Sequence, residues 1–236
     1  MRATRRFILC DNFSVEIKKN LAEFEAGLVE TCAKFGRERS EIKLIAVTKN
    51  RSAVEINELL ASGIRAIGEN RLQEFLTKKS ELDNCEKHFI GRIQSNKARE
   101  IACEFDVIES VSSLKIAKIL NDSITSRDVA RNVSTTTLPI FLQVNLSREE
   151  QKDGFLAEDL EIAVEAVHEL PHLELEGLMT IGVLGDPEKT RAVFQECKAL
   201  CDKLGFAKFS AGMTDDWQLA VECGATELRI GRRFFE

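Results

Sequence analysis

Short apolar runs alternate with longer amphipathic segments along most of this chain, which is the pattern of successive βα units. The runs predict strands at Ile42 to Thr48, Ala66 to Glu69, His88 to Gly91, Val107 to Val111, Ile140 to Asn145, Leu175 to Thr180, Lys208 to Gly212 and Leu228 to Gly231. Helical patterns fill the intervals at Ala53 to Ser62, Arg71 to Leu82, Lys97 to Phe105, Leu114 to Leu120, Leu156 to Leu170, Glu188 to Leu204 and Trp217 to Cys223, after a leading helix from about Val15 to Phe35. The first run, Leu44-Ile45-Ala46-Val47, is too short for a helix and reads as a buried parallel strand. Eight such strands with interleaved helices predict an α/β protein, a (β/α)8 barrel of the TIM type. An open doubly wound sheet would give similar periodicity, but no G-x-G-x-x-G follows the first strand and no G-x-x-x-x-G-K-[ST] occurs anywhere. The most irregular connection, 122–138 with its Ser134-Thr135-Thr136-Thr137 run, reads as a mobile surface loop, and no linker divides residues 1–236 into separate domains.

Composition narrows the classes of function. At 236 residues and 44% hydrophobic content, the chain suits one barrel, which takes roughly 250 residues. A net charge of −6 argues against binding nucleic acid, which needs a clustered basic surface. The basic start Met1-Arg2-Ala3-Thr4-Arg5-Arg6 is followed by an apolar stretch too short for a signal peptide, and no stretch suits a membrane span, so a soluble, cytoplasmic protein is expected. Seven cysteines without a Cys-x-x-Cys pair read as reduced, mostly buried thiols, Cys197 and Cys201 among them. His168-Glu169-Leu170-Pro171-His172 matches the zinc-protease pattern, but Pro171 should end the helix before the second histidine, so no metal site is expected.

Barrel active sites form at the C-terminal ends of the strands, which here carry Lys49, Asn70, Gly91, Ser110, Asn145, Thr180, Ser210 and Gly231. That is a polar ring able to hold a small ligand. Lys49 follows an apolar strand, and partial burial there would favour a neutral, nucleophilic amine. The alternative is a side chain that snorkels into water. After the seventh strand, Ser210-Ala211-Gly212-Met213-Thr214-Asp215-Asp216 combines a glycine with a helix start at Thr214 or Asp215. After the eighth, Arg229-Ile230-Gly231-Arg232 again places a glycine where backbone amides can face an anion. The loops after strands seven and eight often hold phosphate in barrels, although ordinary turns and caps would also explain each segment alone.

These segments, with Gly68-Glu69-Asn70, His88-Phe89-Ile90-Gly91, Gln94-Ser95-Asn96-Lys97, Val144-Asn145, Lys152-x-Gly154 and Gly177-Leu178-Met179, run in order from 42 to 231. Together they resemble the pyridoxal phosphate homeostasis protein family, fold-type III relatives of the alanine racemase barrel. The resemblance implies that pyridoxal 5'-phosphate is the cofactor and that Lys49 forms the internal aldimine. It places Arg229 at the pyridine nitrogen and Ser210, Thr214 and the amides of Gly231 and Arg232 on the phosphate. Asn70, Asn145 and Met213 become pocket-wall residues, and His88 a structural one. Lys152 is the strongest competing lysine. Arg232 departs from the family, where a small or hydroxyl residue is common, and the segment Phe234-Phe235-Glu236 differs from the usual closing tail.

An arginine at the pyridine nitrogen weakens the cofactor as an electron sink. Racemases of this fold add a tyrosine from a further β-domain, and this chain has no tyrosine. The resemblance therefore implies a monomeric carrier in vitamin B6 homeostasis that binds a small-molecule cofactor, with apo enzymes dependent on that cofactor as expected recipients. An enzyme acting on a small amino acid with Lys49 as its only base, and an aldolase in which Lys49 attacks a sugar-phosphate carbonyl, are the alternatives.

Overall fold

The structure, a computed structural model, describes residues 2–124 and 137–236, with side chains from residue 15 onward. The connection 122–138, expected as a mobile loop, lies mostly outside the described residues.

Eight parallel strands close into a barrel in chain order: β1 (Lys43–Val47), β2 (Ala66–Glu69), β3 (Glu86–Phe89), β4 (Val107–Val111), β5 (Leu138–Gln143), β6 (Leu173–Met179), β7 (Lys208–Ser210) and β8 (Glu227–Ile230). The seam is the β1–β8 pair, with Lys43 opposite Glu227 and Ile45 opposite Arg229. The barrel is the one the periodicity predicts, and the open-sheet alternative is excluded by that seam.

The helices are α1 (Arg2–Lys34), α2 (Ala53–Ala61), α3 (Leu72–Lys78), α4 (Ala98–Glu104), α5 (Leu114–Asn121), α6 (Leu160–His168), α7 (Pro187–Leu204), α8 (Trp217–Glu222) and α9 (Arg232–Phe235). Local chemistry sets their ends. Ser52 caps α2 in a capping box with Glu55, and Asp186 caps α7 just before a proline at its first position. The helix α6 stops at His168, so Pro171 and His172 lie beyond it and the zinc-protease spacing has no helical face to act on.

α1 buries Ile17, Leu21, Phe24, Leu28 and Cys32, a stripe at three- and four-residue spacing. Phe24 meets Trp217 of α8 at 5.0 Å and Phe234 of α9 edge-on at 5.3 Å. The short helix α9 is absent from the sequence reading, which ended the fold at β8. Its two phenylalanines are buried, and Arg51 stacks on the Phe235 ring at 4.7 Å while bonding Glu236 at 2.7 Å.

Strand alternation divides the apolar residues in two. Leu44, Ala46, Ile67, Ile108, Leu142, Phe209 and Leu228 belong to the large layer between strands and helices. Val107, Phe141 and Met179 form a separate small cluster. Much of the remaining barrel interior is polar, and that is the unusual feature of this core.

Candidate ligand site at the barrel mouth

β1 ends at Val47, and the chain turns at once through Lys49 and Asn50, whose φ of 60° is left-handed. Thr48 takes the buried place and donates its hydroxyl to Glu69 at the end of β2. Lys49 is thereby exposed, and the partial burial expected of it is absent. The reason is local: the strand closes one residue early and the turn lifts the next side chain out of the sheet. Lys49 makes no hydrogen bond or ion pair among the described residues.

Lys78, on α3, reaches under this turn. Its ammonium lies 2.7 Å from Glu69 Oε1 and 3.2 Å from Glu74 Oε1, and donates to the carbonyls of Thr48 at 2.9 Å and Arg51 at 3.2 Å. Glu74 also accepts from the Asn50 amide. Burial pushes the Glu69 carboxyl above its ordinary range, against the hydrogen bonds from Lys78 and Thr48.

Around the mouth the expected polar ring divides. Ser110 donates to the Gly91 carbonyl at 2.6 Å and Thr180 to the Val144 carbonyl at 2.9 Å. Asn145 donates to the carbonyls of Glu149 and Lys152, both at 3.0 Å, and accepts from Ser147. These three polar side chains fix the rim. Asn70 differs, because its Oδ1 is buried with no partner among the described residues. Gly91 packs on the backbone of the same residue: a Cβ there would lie 2.2 Å from the Asn70 carbonyl oxygen, so only glycine lets the end of β3 cross so closely. A cleft of about 740 Å³ opens beside Asn70, lined also by Asn50, Arg51, Arg71, Arg92 and Lys97.

Opposite, the β7 loop turns at Gly212, whose φ is +87°. The helix begins at Trp217 rather than at Thr214 or Asp215, because a turn over 214–216 intervenes and Asp216 accepts from the Met213 amide at 2.6 Å. Met213 is exposed and Thr214 half-buried. In the β8 loop, Gly231 lies against β1, where an added Cβ would come 3.3 Å from the Val47 oxygen. Arg232 pairs with Asp215 at 2.7 Å and so ties the two loops together. Lys49, Asn70, Ser210 and Gly231 thus follow or end strands on one face of the parallel barrel, where Gly231 packs on Val47 and Arg232 joins the β7 and β8 loops.

Below them, Arg229 is 3% exposed and donates to Ser210 Oγ at 2.6 Å and to the Thr180 carbonyl at 2.9 Å. Ser210 donates to Glu109 Oε2 at 2.5 Å, and His88 Nδ1 lies 2.6 Å from Glu109 Oε1. β4 neighbours neither β7 nor β8, so these contacts cross the inside of the barrel. Burial opposes charge on Glu109, but His88, Arg229 and Ser210 hold its carboxyl below the ordinary range. Burial likewise opposes charge on His88, yet Glu109 and Glu86 raise it to about 9. Glu227, pushed up to about 7 by burial and by Glu109, completes the cluster. Ligand atoms of His88, Glu109 and Glu227 lie within 4.8 Å of one another. Positive charge is already present in this cluster, on His88 itself and on Arg229, 3.9 Å from Glu109, while Lys43 beside His88 is paired with Glu86 at 2.7 Å. The sequence reading missed Glu109 and Glu227; the available signal was a carboxylate inside apolar strands, where a charge needs a partner.

The lysine expected as a competitor is engaged. Lys152 donates to the Gly182 carbonyl at 2.8 Å and to Ser147 at 3.2 Å, and pairs with Glu149.

A parallel barrel with a free lysine after its first strand and glycine loops after its last two defines a class, and the alanine racemase N-terminal domain family matches residues 30–235. The chain is 40% identical to the pyridoxal phosphate homeostasis protein of Pseudomonas aeruginosa over 229 residues, covering 93% of this chain and 94% of that one. It is 34% identical to the protein of the same name from Escherichia coli K12, covering 93% and 96%. The chain belongs to the pyridoxal phosphate homeostasis protein family. A solved structure of PipY from Synechococcus elongatus with PLP bound superposes with a TM-score of 0.79 at 32% identity, covering 93% of this chain and 100% of that one. Alanine racemase from Corynebacterium glutamicum shares the fold at 16% identity and a TM-score of 0.67, this chain covering 60% of its length.

Proposed function

We propose that this chain binds pyridoxal 5'-phosphate at the barrel mouth, holds it through Lys49 and acts in intracellular vitamin B6 homeostasis as a carrier without robust turnover. The observation that carries this reading is the amine of Lys49, which has no partner among the described residues at the rim where the β1 and β8 loops meet, while Lys152 is held by its neighbours. The name shared by the relatives and the ligand of PipY support the choice of cofactor.

The residues present suit that group. Asn70 offers a buried acceptor that lacks a partner, and Arg229 brings a fixed cation to the floor of the mouth. When bound, pyridoxal phosphate supplies an aldehyde that condenses with an amine and a conjugated ring that absorbs visible light. Arg229 would face the pyridine nitrogen, and its charge would disfavour a proton there. Thr214 and the amides of Gly231 and Arg232 would hold the phosphate, with Met213 as a wall. Ser210 joins them only by exchanging its bond to Glu109, and Arg232 only by leaving Asp215. Asn145 shapes the wall through the loop it holds, not through a free amide.

A carrier is favoured over a racemase because the 236 residues contain no tyrosine to face Lys49 as a second acid or base. The test is borohydride reduction of the protein incubated with pyridoxal phosphate, followed by peptide mass mapping. A pyridoxyl group on the Lys49 peptide, and loss of the visible absorbance in Lys49→Ala, are expected. Label found mainly on Lys152, or full absorbance in Lys49→Ala, would overturn the assignment.

A further inference from the structure

We infer that Lys78, with Glu69 and Glu74, is a positioning device that sets the Lys49 turn for reaction with an aldehyde. This inference rests on the assignment of Lys49 above and gives a role to three residues outside the proposed cofactor contacts. Four residues, Thr48 to Arg51, carry Lys49 past the end of β1, and the device holds that turn at both ends and in the middle. Lys78 binds the carbonyls of Thr48 and Arg51, Glu74 takes the amide of Asn50, and Glu69 takes the hydroxyl of Thr48. Every backbone group named here flanks Lys49, while the Lys49 side chain stays unengaged.

The physical cost of the arrangement argues for a positional use. The side chain of Glu69 is fully buried and that of Lys78 is 8% exposed. A buried ion pair is weak evidence for stability, because desolvation offsets much of the attraction. What such a pair provides is direction, since a short ammonium with several acceptors admits one arrangement of the chain around it. The turn also gains from being held, because Asn50 at φ 60° sits in the left-handed region, which asparagine tolerates as a single residue but which is not its main conformation. Left to itself, that turn would sample other conformations and take the Lys49 amine with it.

Placement matters in the condensation itself. The Lys49 ammonium loses one proton to solvent, its nitrogen bonds to the aldehyde carbon, and the carbon–oxygen bond breaks as the oxygen leaves as water with the two hydrogens the nitrogen gives up. Nitrogen and carbon have to meet along one approach direction, and misplacement by about 1 Å can slow such a step by a hundredfold. The proposed phosphate and ring residues, Thr214, Gly231, Arg232 and Arg229, are not bonded to Lys78, Glu69 or Glu74 among the described residues; the turn's tie to that side is Arg51 against Phe235 and Glu236, which the variants leave in place. Loss of the device should therefore separate condensation from binding.

The experiment compares wild type, Lys78→Met, Lys78→Arg and Glu69→Gln. The rate of borohydride-trappable label on Lys49 is measured at saturating pyridoxal phosphate, and binding of pyridoxine 5'-phosphate, which lacks the aldehyde, is measured by calorimetry. Trapping in Lys78→Met should be slower by about tenfold or more, with affinity for pyridoxine 5'-phosphate within about twofold of wild type. Glu69→Gln should fall in the same direction, and Lys78→Arg should recover part of the rate. Equal trapping rates in Lys78→Met and wild type, or equal losses of trapping and of pyridoxine 5'-phosphate binding, would overturn the inference. Should Lys78→Met fail to fold by circular dichroism, Lys78→Gln carries the same expectations. Wild type that is not labelled at Lys49 would instead overturn the parent assignment, and the positioning role with it.

Discussion

Glu227 holds a carboxyl inside the barrel, 3% exposed, with Oε2 lacking a partner among the described residues. Burial, then the Glu109 charge, raises it from 4.5 to about 7, so the folded protein binds this proton more tightly than the unfolded chain does. Its contribution is complete below the unfolded value and is lost as pH rises through about 7. Glu227→Gln keeps the shape and cannot ionise. Its stability relative to wild type should increase by on the order of 3 kcal/mol between about pH 4 and about pH 8. Denaturant unfolding across that range is the check, and a constant difference would show that this carboxyl titrates alike in both states. The same residues show where reading the sequence stopped. Glu109 lies 21 positions from His88 and 101 from Ser210, with Glu227 farther still along the chain, and only barrel closure brings β4 opposite β7 and β8. Lys49 was legible as a strand-end lysine, but its exposure was not, because that depends on Thr48 finding Glu69.

Among the elements, α1 begins at Arg2 and not near Val15, but the other strand and helix positions were legible to within a few residues because apolar spacing and capping residues are local signals. The helix start in the β7 loop was misplaced because Asp216 turns back to the Met213 amide before the helix begins. α9 escaped notice because four residues carry no periodicity; its place is set by Phe24 and Arg51 from distant segments. The loop before α9 gives a test of the phosphate assignment. Gly231 lies so close to β1 that a Cβ would already meet Val47 at 3.3 Å, and a larger side chain would displace the amides on either side. Gly231→Val should weaken retention of pyridoxal phosphate about tenfold or more relative to its effect on unphosphorylated pyridoxal, as expected when bonds to a charged group are lost. Equilibrium dialysis of both compounds measures the ratio, and equal losses would remove phosphate from the loop's role.

For the whole molecule, the barrel and the family pattern pointed the same way, since motifs spread from 42 to 231 fall at successive strand ends of one closed sheet. The carrier reading is tested at this scale too. Purified protein loaded with pyridoxal phosphate should give no sustained conversion of L-alanine to D-alanine by chiral chromatography. Turnover abolished by Lys49→Ala would reveal another side chain serving as the opposing base. The seam between β1 and β8 carries one further consequence. Lys49 comes from the first strand and Gly231 from just beyond the last, so the mouth is finished only when segments from distant parts of the sequence have zipped together. Such long-range pairing is slow to form. Colour from a captured cofactor would then report the last event of assembly, and a partly folded chain would leave a reactive aldehyde alone.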